Sequence, residues 1–479
     1  MEPFKHLAAQ GAMIERLTAD SRRCAPGTAF FAYPGEKADG RNFIPDALSR
    51  GATAVVWEAD GFEWRNDWRV PNLAVAGLKQ RAGVLASDFH GQPSQHLWIC
   101  GVTGTNGKTS CSQWIAAALQ RRGVQSGVIG TLGTGFPGRL REAGNTTPDA
   151  LELQATLREL RTGGARSVAM EVSSHGLVQG RVNGVRFSCA LFTNLSHDHL
   201  DYHGSMQAYG EAKARLFLMD GLQAAVLNLD DPFGRELARR LSGRVRTIGY
   251  SLQAVERGVV DAAISVNDDL QLESAWGSGK LTTRQVGRFN ISNILGVLGA
   301  LIAHGVPLGE ALTLVGDLPD VPGRMQVVGE RPLVVVDYAH TPDALEKVLA
   351  TLRPVASQRG GRLAIVFGAG GDRDPAKRPV MGAAASRGAD RVFITSDNPR
   401  GEDPVAIIEA VARGASGEPR RETDRRRAIQ AAVLEAAPED VILIAGKGHE
   451  SYQEIQGARL PFSDQAVAQA ALATRSKPC

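Results

Sequence analysis

At 479 residues the chain is too long for a single hydrophobic core and divides into two to four domains. Its 43% hydrophobic content suits a globular protein, and 54 basic against 51 acidic residues leave a net charge of +3, too balanced for a nucleic-acid surface. The five cysteines, Cys24, Cys100, Cys111, Cys189 and Cys479, make no CxxC pair and no metal spacing, which suits a reducing compartment rather than a disulfide framework.

The N-terminal stretch MEPFKHLAAQ lacks a secretory apolar core. Residues 1–90 read as a small mixed domain, with strands at AFFAYPG and ATAVVWEA and a helical turn at IPDALSRG. NLAVAGLKQRAGVLASDFHG, 72–91, is predicted as a helix. Beyond residue 95 the rhythm becomes strand, loop, helix. HLWICGV leads into GVTGTNGKTS (101–110), and CSQWIAAALQRRG follows with helical apolar spacing. A glycine-rich turn between a strand and a helix can aim N–H groups at a phosphate. There Lys108 would add a point charge and Thr109 a hydroxyl for magnesium. The strict phosphate-loop pattern wants glycine where Val102 stands; glycines occur at Gly101 and Gly104 instead.

ARSVAMEVS (165–173), FSCALFTNLS (187–196) and QAAVLNLDD (223–231) are apolar runs that end in small or polar residues, as covered parallel strands do. VVDAAISVNDD and SGKLTTR read as a peripheral hairpin. FNISNILGVLGALIAHG, 289–305, comes nearest to a membrane span, but Asn290, Ser292 and Asn293 fit a buried helix better. PDVPGRM (319–325) breaks the chain. After it come LVVVDYA, GRLAIVFGAG, DRVFITSDN and EDVILIAGKG, four further strands with helices between. RRETDRRR, 420–427, reads as a solvated helix face. The predicted architecture is α/β in three domains, 1–92, 93–323 and 324–479. The middle one is a P-loop nucleotide domain on a mostly parallel sheet, and the last is Rossmann-like. The expected location is the cytoplasm.

Polar residues cluster after these strands, where α/β sheets hold their ligands. MEVSSHG offers Glu171, Ser173 and His175; TNLSHDHLDYHG offers His197, Asp198, His199, Asp201 and His203. Glu171 downstream of a phosphate loop suits magnesium, which prefers hard oxygen ligands, although a helix-cap acid is the plainer reading. The histidines lack zinc spacing. Lys213, inside the helical YGEAKARLF, reads on its own chemistry as a solvated lysine. The C-terminal region has four polar loops: DYAHTPD (337–343), GGDRD (370–374), SDNPRGED (396–403) and GKGHESY (446–452). Arg373 and Arg400 beside Asp397 and Glu450 suit a zwitterionic amino acid.

TGTNGKT, MEVSSHGL, FTNLSHDHLDYHG, GRFNISN, VDYAHTPDAL, GGDRD, DNPR and AGKGHE run in this order over nearly the whole chain. With these blocks the sequence resembles the Mur ligase family, the ATP-dependent amino-acid ligases of peptidoglycan synthesis, and the displaced glycine is that family's form. The DNPR form implies addition of meso-2,6-diaminopimelate to UDP-N-acetylmuramoyl-L-alanyl-D-glutamate. Sister ligases for L-lysine or folate, and a non-catalytic nucleotide-binding regulator, are the rival readings.

The resemblance also implies roles. Gly104, Thr105, Asn106, Gly107, Lys108, Thr109 and Ser110 would hold ATP, with Asn290 and Asn293 on the adenine side. Thr109, Glu171, His199 and a carbamylated Lys213 would form the magnesium set, and Lys108, Lys213 and His199 the catalytic set. Ala19, Ser21, Glu36, Lys37 and Ala38 would meet the uridine nucleotide, and Asn145, Thr146, Thr147, Ser173, Gln179 and Arg181 the muramoyl dipeptide. Arg373, Asp397, Asn398, Pro399, Arg400, Gly446 and Glu450 would hold diaminopimelate. A monomer that closes its domains around its substrates is the expected working form.

Overall fold

The computed structural model describes residues 2–36, 38–142, 144–255, 258–285 and 287–475. Three α/β domains follow one another along the chain, each built on its own sheet. The first sheet has four parallel strands in sequence order: Arg16–Thr18, Thr28–Ala32, Ala54–Glu58 and Asn72–Val75. The stretch 72–91 is therefore not one helix. Asn72–Val75 pairs with Ala54–Glu58, and Gly77 turns the chain through a left-handed conformation into the helix Leu78–Phe89. Glu58 at the end of the neighbouring strand accepts the N–H groups of Gly77 and Leu78 at 2.9 and 2.7 Å. That carboxylate satisfies orphan donors of the helix start, which fixes the break there.

The middle sheet has eleven strands. Seven are parallel neighbours, from Ser126–Gly130 through Ser167–Glu171, Trp98–Thr103, Cys189–Phe192, Ala224–Asn228 and Arg246–Ser251 to Ala262–Val266. Antiparallel pairs finish both edges. The stretches read as one peripheral hairpin lie at one of them but do not pair with each other: Gln271–Ser274, a strand not predicted, stands between Ala262–Val266 and Gly277–Lys280 and pairs antiparallel with both. The helices Lys108–Arg121 and Arg288–His304 pack one face in a shared apolar cluster. Arg288–His304 is buried on most sides, and among the described residues no helix is long and apolar enough to cross a membrane.

The third sheet has six strands. Five are parallel, in the order Leu333–Asp337, Val441–Ala445, Leu363–Phe367, Arg391–Thr395 and Arg420–Glu422, and Gln326–Glu330 is the antiparallel edge. RRETDRRR departs from a solvated helix face. Its first three residues are the last of those parallel strands, Asp424 caps the helix Arg425–Leu434, and Arg425 is fully buried. The Arg425 guanidinium donates twice to Asp464 at 2.7 Å, to Ala445 O at 2.8 Å and to Ser396 O at 3.4 Å. A five-donor fork tolerates burial when its protons are so occupied. Arg426 and Arg427 are exposed, as expected. The C-terminal strand ends of the middle and third sheets open on a common cleft, as ligand sites in parallel sheets do.

Candidate active site

The glycine-rich loop runs from the strand Trp98–Thr103 into the helix Lys108–Arg121. Gly104 has φ 149°, and a Cβ there would lie 1.9 Å from Thr193 Oγ1. Gly107 has φ 87°, and a Cβ there would lie 2.5 Å from Asn293 Oδ1. Glycine at both positions is thus a condition of the loop's shape. Residues 193–196 hold the loop from beside it: Asn106 N donates to Asn194 Oδ1 at 3.0 Å, and Thr105 Oγ1 donates to Ser196 O at 3.2 Å.

Two lysines converge on this loop. Lys108 Nζ donates to Gly104 O and Thr105 O at 2.9 and 2.8 Å, and Lys213 Nζ donates to the same Gly104 O at 2.9 Å. Lys213 sits in the helix Met206–Ala214, as predicted, yet it is 1% exposed, so the solvated reading fails. Its ammonium lies 4.2 Å from the centre of the Tyr209 ring. Burial pushes its pKa well below that of a free lysine, and the neighbouring charge of Lys108 pushes it the same way. Burial also lowers Lys108, though Glu171 and Asp198 oppose it.

Glu171 ends the strand Ser167–Glu171 and is buried. Its Oε1 accepts Thr131 N at 2.8 Å; its Oε2 accepts the hydroxyls of Thr109 at 3.0 Å and Thr131 at 3.1 Å. Glu171 is not a helix cap: Ser173 caps the next helix, its Oγ accepting Gly176 N. Thr109 Oγ1 also accepts Arg324 Nη2 at 2.9 Å. Among the described residues no three His, Cys, Asp or Glu side chains come together as metal ligands. Of the four predicted magnesium residues, Thr109 and Glu171 touch, whereas His199 and Lys213 do not join them. The reason is local. His199, at φ 53°, turns its Nε2 to within 3.4 Å of Asp198 Oδ2, and Lys213 is drawn to Gly104 O. Burial lowers the His199 pKa to about 3 against the pull of Asp198, so the ring is neutral at pH 7. Burial would raise Asp198, but the positive charge available on His199, His340 and Lys377 outweighs it and holds the carboxyl well below its usual range. With His199 neutral at pH 7, the Lys377 ammonium is the lasting partner, and it bonds directly to Asp198 Oδ1.

A cavity of about 330 Å³ is lined by Thr105–Thr109, Glu171, His199 and Lys213 from the middle domain. Arg373, Asp397, Asn398, Arg400, Gly446 and Glu450 from the third domain line it too. Thr105–Thr109 of the predicted ATP set and most of the predicted amino-acid residues therefore face one space. Thr146 and Ser173 open on it as well. A second cavity, of about 590 Å³, holds Ser110, Asn290 and Asn293 beside Asn106 and Gly107, with Phe289, Val348 and Pro354 as apolar wall. That combination fits a flat heterocycle with polar edges.

The predicted uridine and muramoyl set is more dispersed. Arg181 donates to Thr147 O at 2.8 Å and to Gln179 Oε1 at 2.8 Å. Glu36 reaches from the first domain to accept Gln179 at 2.6 Å and the Tyr202 hydroxyl at 2.5 Å. Asn145 is exposed and lines a separate cavity of about 700 Å³ with Thr18, Arg23 and Asp149. Ser21 is buried, its hydroxyl bonded to Asp46, and Ala19 is half-buried beside it. Ala38 closes a turn by accepting Gly35 N at 2.8 Å. Lys37 lies outside the described residues.

The amino-acid side is held by side chains. Asn398 Nδ2 donates to Glu450 Oε2 at 2.9 Å, and Gln453 Nε2 donates to Asp397 O at 2.7 Å. Arg400, at φ 49°, donates from Nη1 to Gly371 O at 2.7 Å. The Pro399 carbonyl, with no room for a Cβ at Gly371, packs the DNPR loop on the GGDRD loop. Arg373 is exposed at the cleft. Sequence reasoning missed Arg324, Lys377, Arg378 and Lys447. Arg378 is buried against Glu402 with bonds of 2.7 and 2.9 Å. Lys377 and Arg378 follow GGDRD after two residues and Lys447 lies inside GKGHE, so proximity to a motif was the one available signal for these three.

Models described as the Mur ligase family catalytic domain, the Mur ligase middle domain and the Mur ligase glutamate ligase domain match residues 13–90, 102–301 and 323–448. A UDP-N-acetylmuramoyl-L-alanyl-D-glutamate--2,6-diaminopimelate ligase of Chromobacterium violaceum is 52% identical over 98% of this chain and 96% of its own. The chain belongs to the Mur ligase family. A ligase of the same description from Pseudomonas aeruginosa is 50% identical over 97% of this chain and 96% of its own. A solved structure of that description superposes on this Mur ligase with a TM-score of 0.67 and 38% identity, covering 97% and 96% of the two chains. A folylpolyglutamate synthase/dihydrofolate synthase structure, at 21% identity and a TM-score of 0.62, shares the fold.

Proposed function

We propose that this Mur ligase adds meso-2,6-diaminopimelate to UDP-N-acetylmuramoyl-L-alanyl-D-glutamate with hydrolysis of ATP to ADP and phosphate, forming the muramoyl tripeptide of peptidoglycan. The observation that carries the reading is the one cleft lined both by Thr105–Thr109 of the glycine-rich loop and by Arg373, Asp397, Arg400 and Glu450. A phosphate cradle facing an amino-acid site is what carboxylate activation followed by amine attack requires. In this reading residues 1–92 bind the uridine nucleotide and 93–323 form a P-loop ATP domain. Residues 324–479 form a Rossmann-like amino-acid domain, and the enzyme is a cytoplasmic monomer.

The D-glutamyl γ-carboxylate oxygen attacks the γ-phosphorus of ATP. An O–P bond forms, the bond to ADP breaks, and the poor electrophile becomes an acyl phosphate. Lys108 leaves the Gly104 and Thr105 carbonyls to meet the charge on the transferring group, which is the largest contribution a fixed cation makes. The diaminopimelate amine then attacks the acyl carbon; a C–N bond forms, the nitrogen gives up one proton, and the C–O bond breaks to release phosphate. Asn106, Ser110, Asn290 and Asn293 orient the nucleotide. Thr146, Thr147, Ser173, Gln179 and Arg181 orient the dipeptide, together with Asn145, while Ala19, Ser21 and the stretch from Glu36 to Ala38 serve the uridine end. Arg400 and Arg373 take carboxylates of diaminopimelate, and Asp397, Asn398, Pro399, Gly446 and Glu450 complete its pocket. Contacts between the domains, Lys377 to Asp198 and Asn106 Nδ2 to Asp343 at 3.3 Å, favour a closed cleft that keeps water from the acyl phosphate.

Thr109 Oγ1 and Glu171 Oε2 are hard oxygen donors 3.0 Å apart and fit magnesium. When bound, magnesium supplies positive charge to the phosphate oxygens. His199, neutral at pH 7, would supply a nitrogen donor to the set once its ring turns from Asp198. Lys213 is carbamylated: its neutral amine adds to carbon dioxide with loss of one proton, giving an anionic oxygen donor. The support for this is the burial that favours the neutral amine. The test is a panel of meso-diaminopimelate, L-lysine and L-glutamate with ATP and the muramoyl dipeptide nucleotide, read by product mass. Diaminopimelate is expected to give the tripeptide; equal turnover of lysine would overturn the substrate assignment.

A further inference from the structure

A buried lysine lies behind the amino-acid pocket, and none of the roles above uses it. Lys447 follows the strand Val441–Ala445 by two residues, and its side chain is completely buried. Its ammonium donates to Glu450 Oε2 at 2.7 Å and to Asn398 Oδ1 at 3.0 Å. Asn398 Nδ2 donates to that same Glu450 oxygen at 2.9 Å, and Glu454 N donates to Asn398 Oδ1 at 2.9 Å.

This arrangement has one solution. A terminal amide can be turned over, exchanging its oxygen for its NH2 group. With Lys447 and Glu454 N both aimed at one end of Asn398, only the oxygen can stand there. The NH2 group must then face Glu450. Both protein donors converge on Oε2, so Oε1 takes no protein donor among the described residues, while Glu450 itself lines the cleft. Glu450 thus presents one free carboxylate oxygen in a set direction. Arg400, on the same cleft, presents the opposite charge.

We propose that Lys447 is a positioning residue for the amino-acid substrate. It locks the Asn398 amide and aims Glu450 so that the free carboxylate oxygen receives the ammonium of an α-amino-acid group whose carboxylate goes to Arg400. The proposal rests on the diaminopimelate reading. Lys447 touches no substrate; it acts through Glu450. A lysine kept only for packing would leave the pocket's orientation to the backbone, and its loss would lower the amount of folded enzyme without changing affinity for one substrate.

The experiment is steady-state kinetics of the full-length enzyme by phosphate release, with each substrate varied in turn. Lys447→Met, which keeps the length and removes the donors, is expected to raise the KM for diaminopimelate at least tenfold. The kcat should stay within about threefold, and the KM values for ATP and the dipeptide nucleotide should not move. In the Lys447→Met/Glu450→Gln double variant the two effects should not multiply, because one acts through the other. An unchanged diaminopimelate KM, an equal loss for all three substrates, or multiplying effects would each overturn the proposal. Should Lys447→Met fail to fold, Lys447→Gln decides: it is expected to raise the diaminopimelate KM between threefold and tenfold, and an unaltered value rejects the idea. The wild-type enzyme in the same assay keeps the two readings apart. If it does not use diaminopimelate at all, the substrate assignment has failed, whatever the variants do.

Discussion

The two sides of the cleft prepare for ligand in opposite ways. On the ATP side the lysines are parked on backbone oxygens: Lys108 and Lys213 share the Gly104 carbonyl. On the amino-acid side Glu450 is anchored to the side chains of Lys447 and Asn398 and Arg378 to that of Glu402, while Arg400 rests on the Gly371 carbonyl. A lysine on a neutral carbonyl can be taken over by a phosphate at small cost. A carboxylate held by two donors is already aimed and gains by not moving. Under the proposed function, the first side reorganises during transfer and the second recognises a fixed shape.

That contrast predicts where a mutation lowers turnover and where it weakens binding. The largest effect is expected at the parked lysines. Lys213→Ala should lose nearly all activity, unrestored by bicarbonate, with partial return on adding a short carboxylic acid; near-normal phosphate release would remove Lys213 from the chemistry. Lys108→Ala should slow dipeptide-dependent phosphate release about a hundredfold or more at saturating ATP, by analogy with loss of one preorganised donor. An unaltered thermal melt, with the wild-type rate at saturation, would reduce the loop to a binding turn. Arg400→Ala, on the anchored side, should weaken diaminopimelate use at least tenfold, from loss of a charged pair of about 2–5 kcal/mol. The loss should fall on KM. A loss confined to kcat would erase the contrast between the two sides.

Smaller again is the bridge between them. Lys377→Met removes the cation that reaches from the third domain to Asp198. Its cost to kcat/KM should be less than that of Arg400→Ala, with no change in the product made. An effect as large as that of Lys108→Ala would instead put Lys377 among the groups that touch the transferring phosphate. The smallest effect is on stability against pH. Burial lowers His90, His203 and His449 to about 4, and His199 to about 3, from 6.5. Below pH 6.5 the unfolded chain takes up protons that these folded rings refuse, so stability falls as pH falls from about 6.5 toward 4. Melting temperature measured from pH 7.5 to 5 should be level above 6.5 and decline below it. A rise on acidification would contradict the buried neutral rings.

The sequence carried the loops better than their partners. The strand–loop–helix order around Gly104–Ser110 and the four polar loops of the third domain were legible because period and punctuation are local signals. NLAVAG looked helical because its pairing with Ala54–Glu58 is not local. Arg425 looked solvated because its partner, Asp464, stands 39 residues away. Lys213 read alone was a surface lysine; Tyr209 stands one helical turn before it, but only the fold brings Gly104 to it. Lys377 escaped notice for the same reason, its partner Asp198 lying 179 residues away, whereas Lys447 has Glu450 three residues on and only Asn398 distant. A buried charge is recognisable once its counter-charge is known, and no spacing rule supplies that.

The Arg425–Asp464 pair also sets a schedule. Arg425 holds the carbonyls of Ser396 and Ala445, the residues just before Asp397 and Gly446 of the amino-acid pocket. Its own charge is balanced by a carboxylate on the helix Asp464–Arg475. As the chain leaves the ribosome, the middle domain can close while later residues are still being made, since domains fold as units from the N-terminal end. The third domain cannot: until Asp464 emerges, closing the sheet would bury an unpaired guanidinium. The nascent protein therefore passes through a stage with a finished phosphate loop and no place for the amino acid.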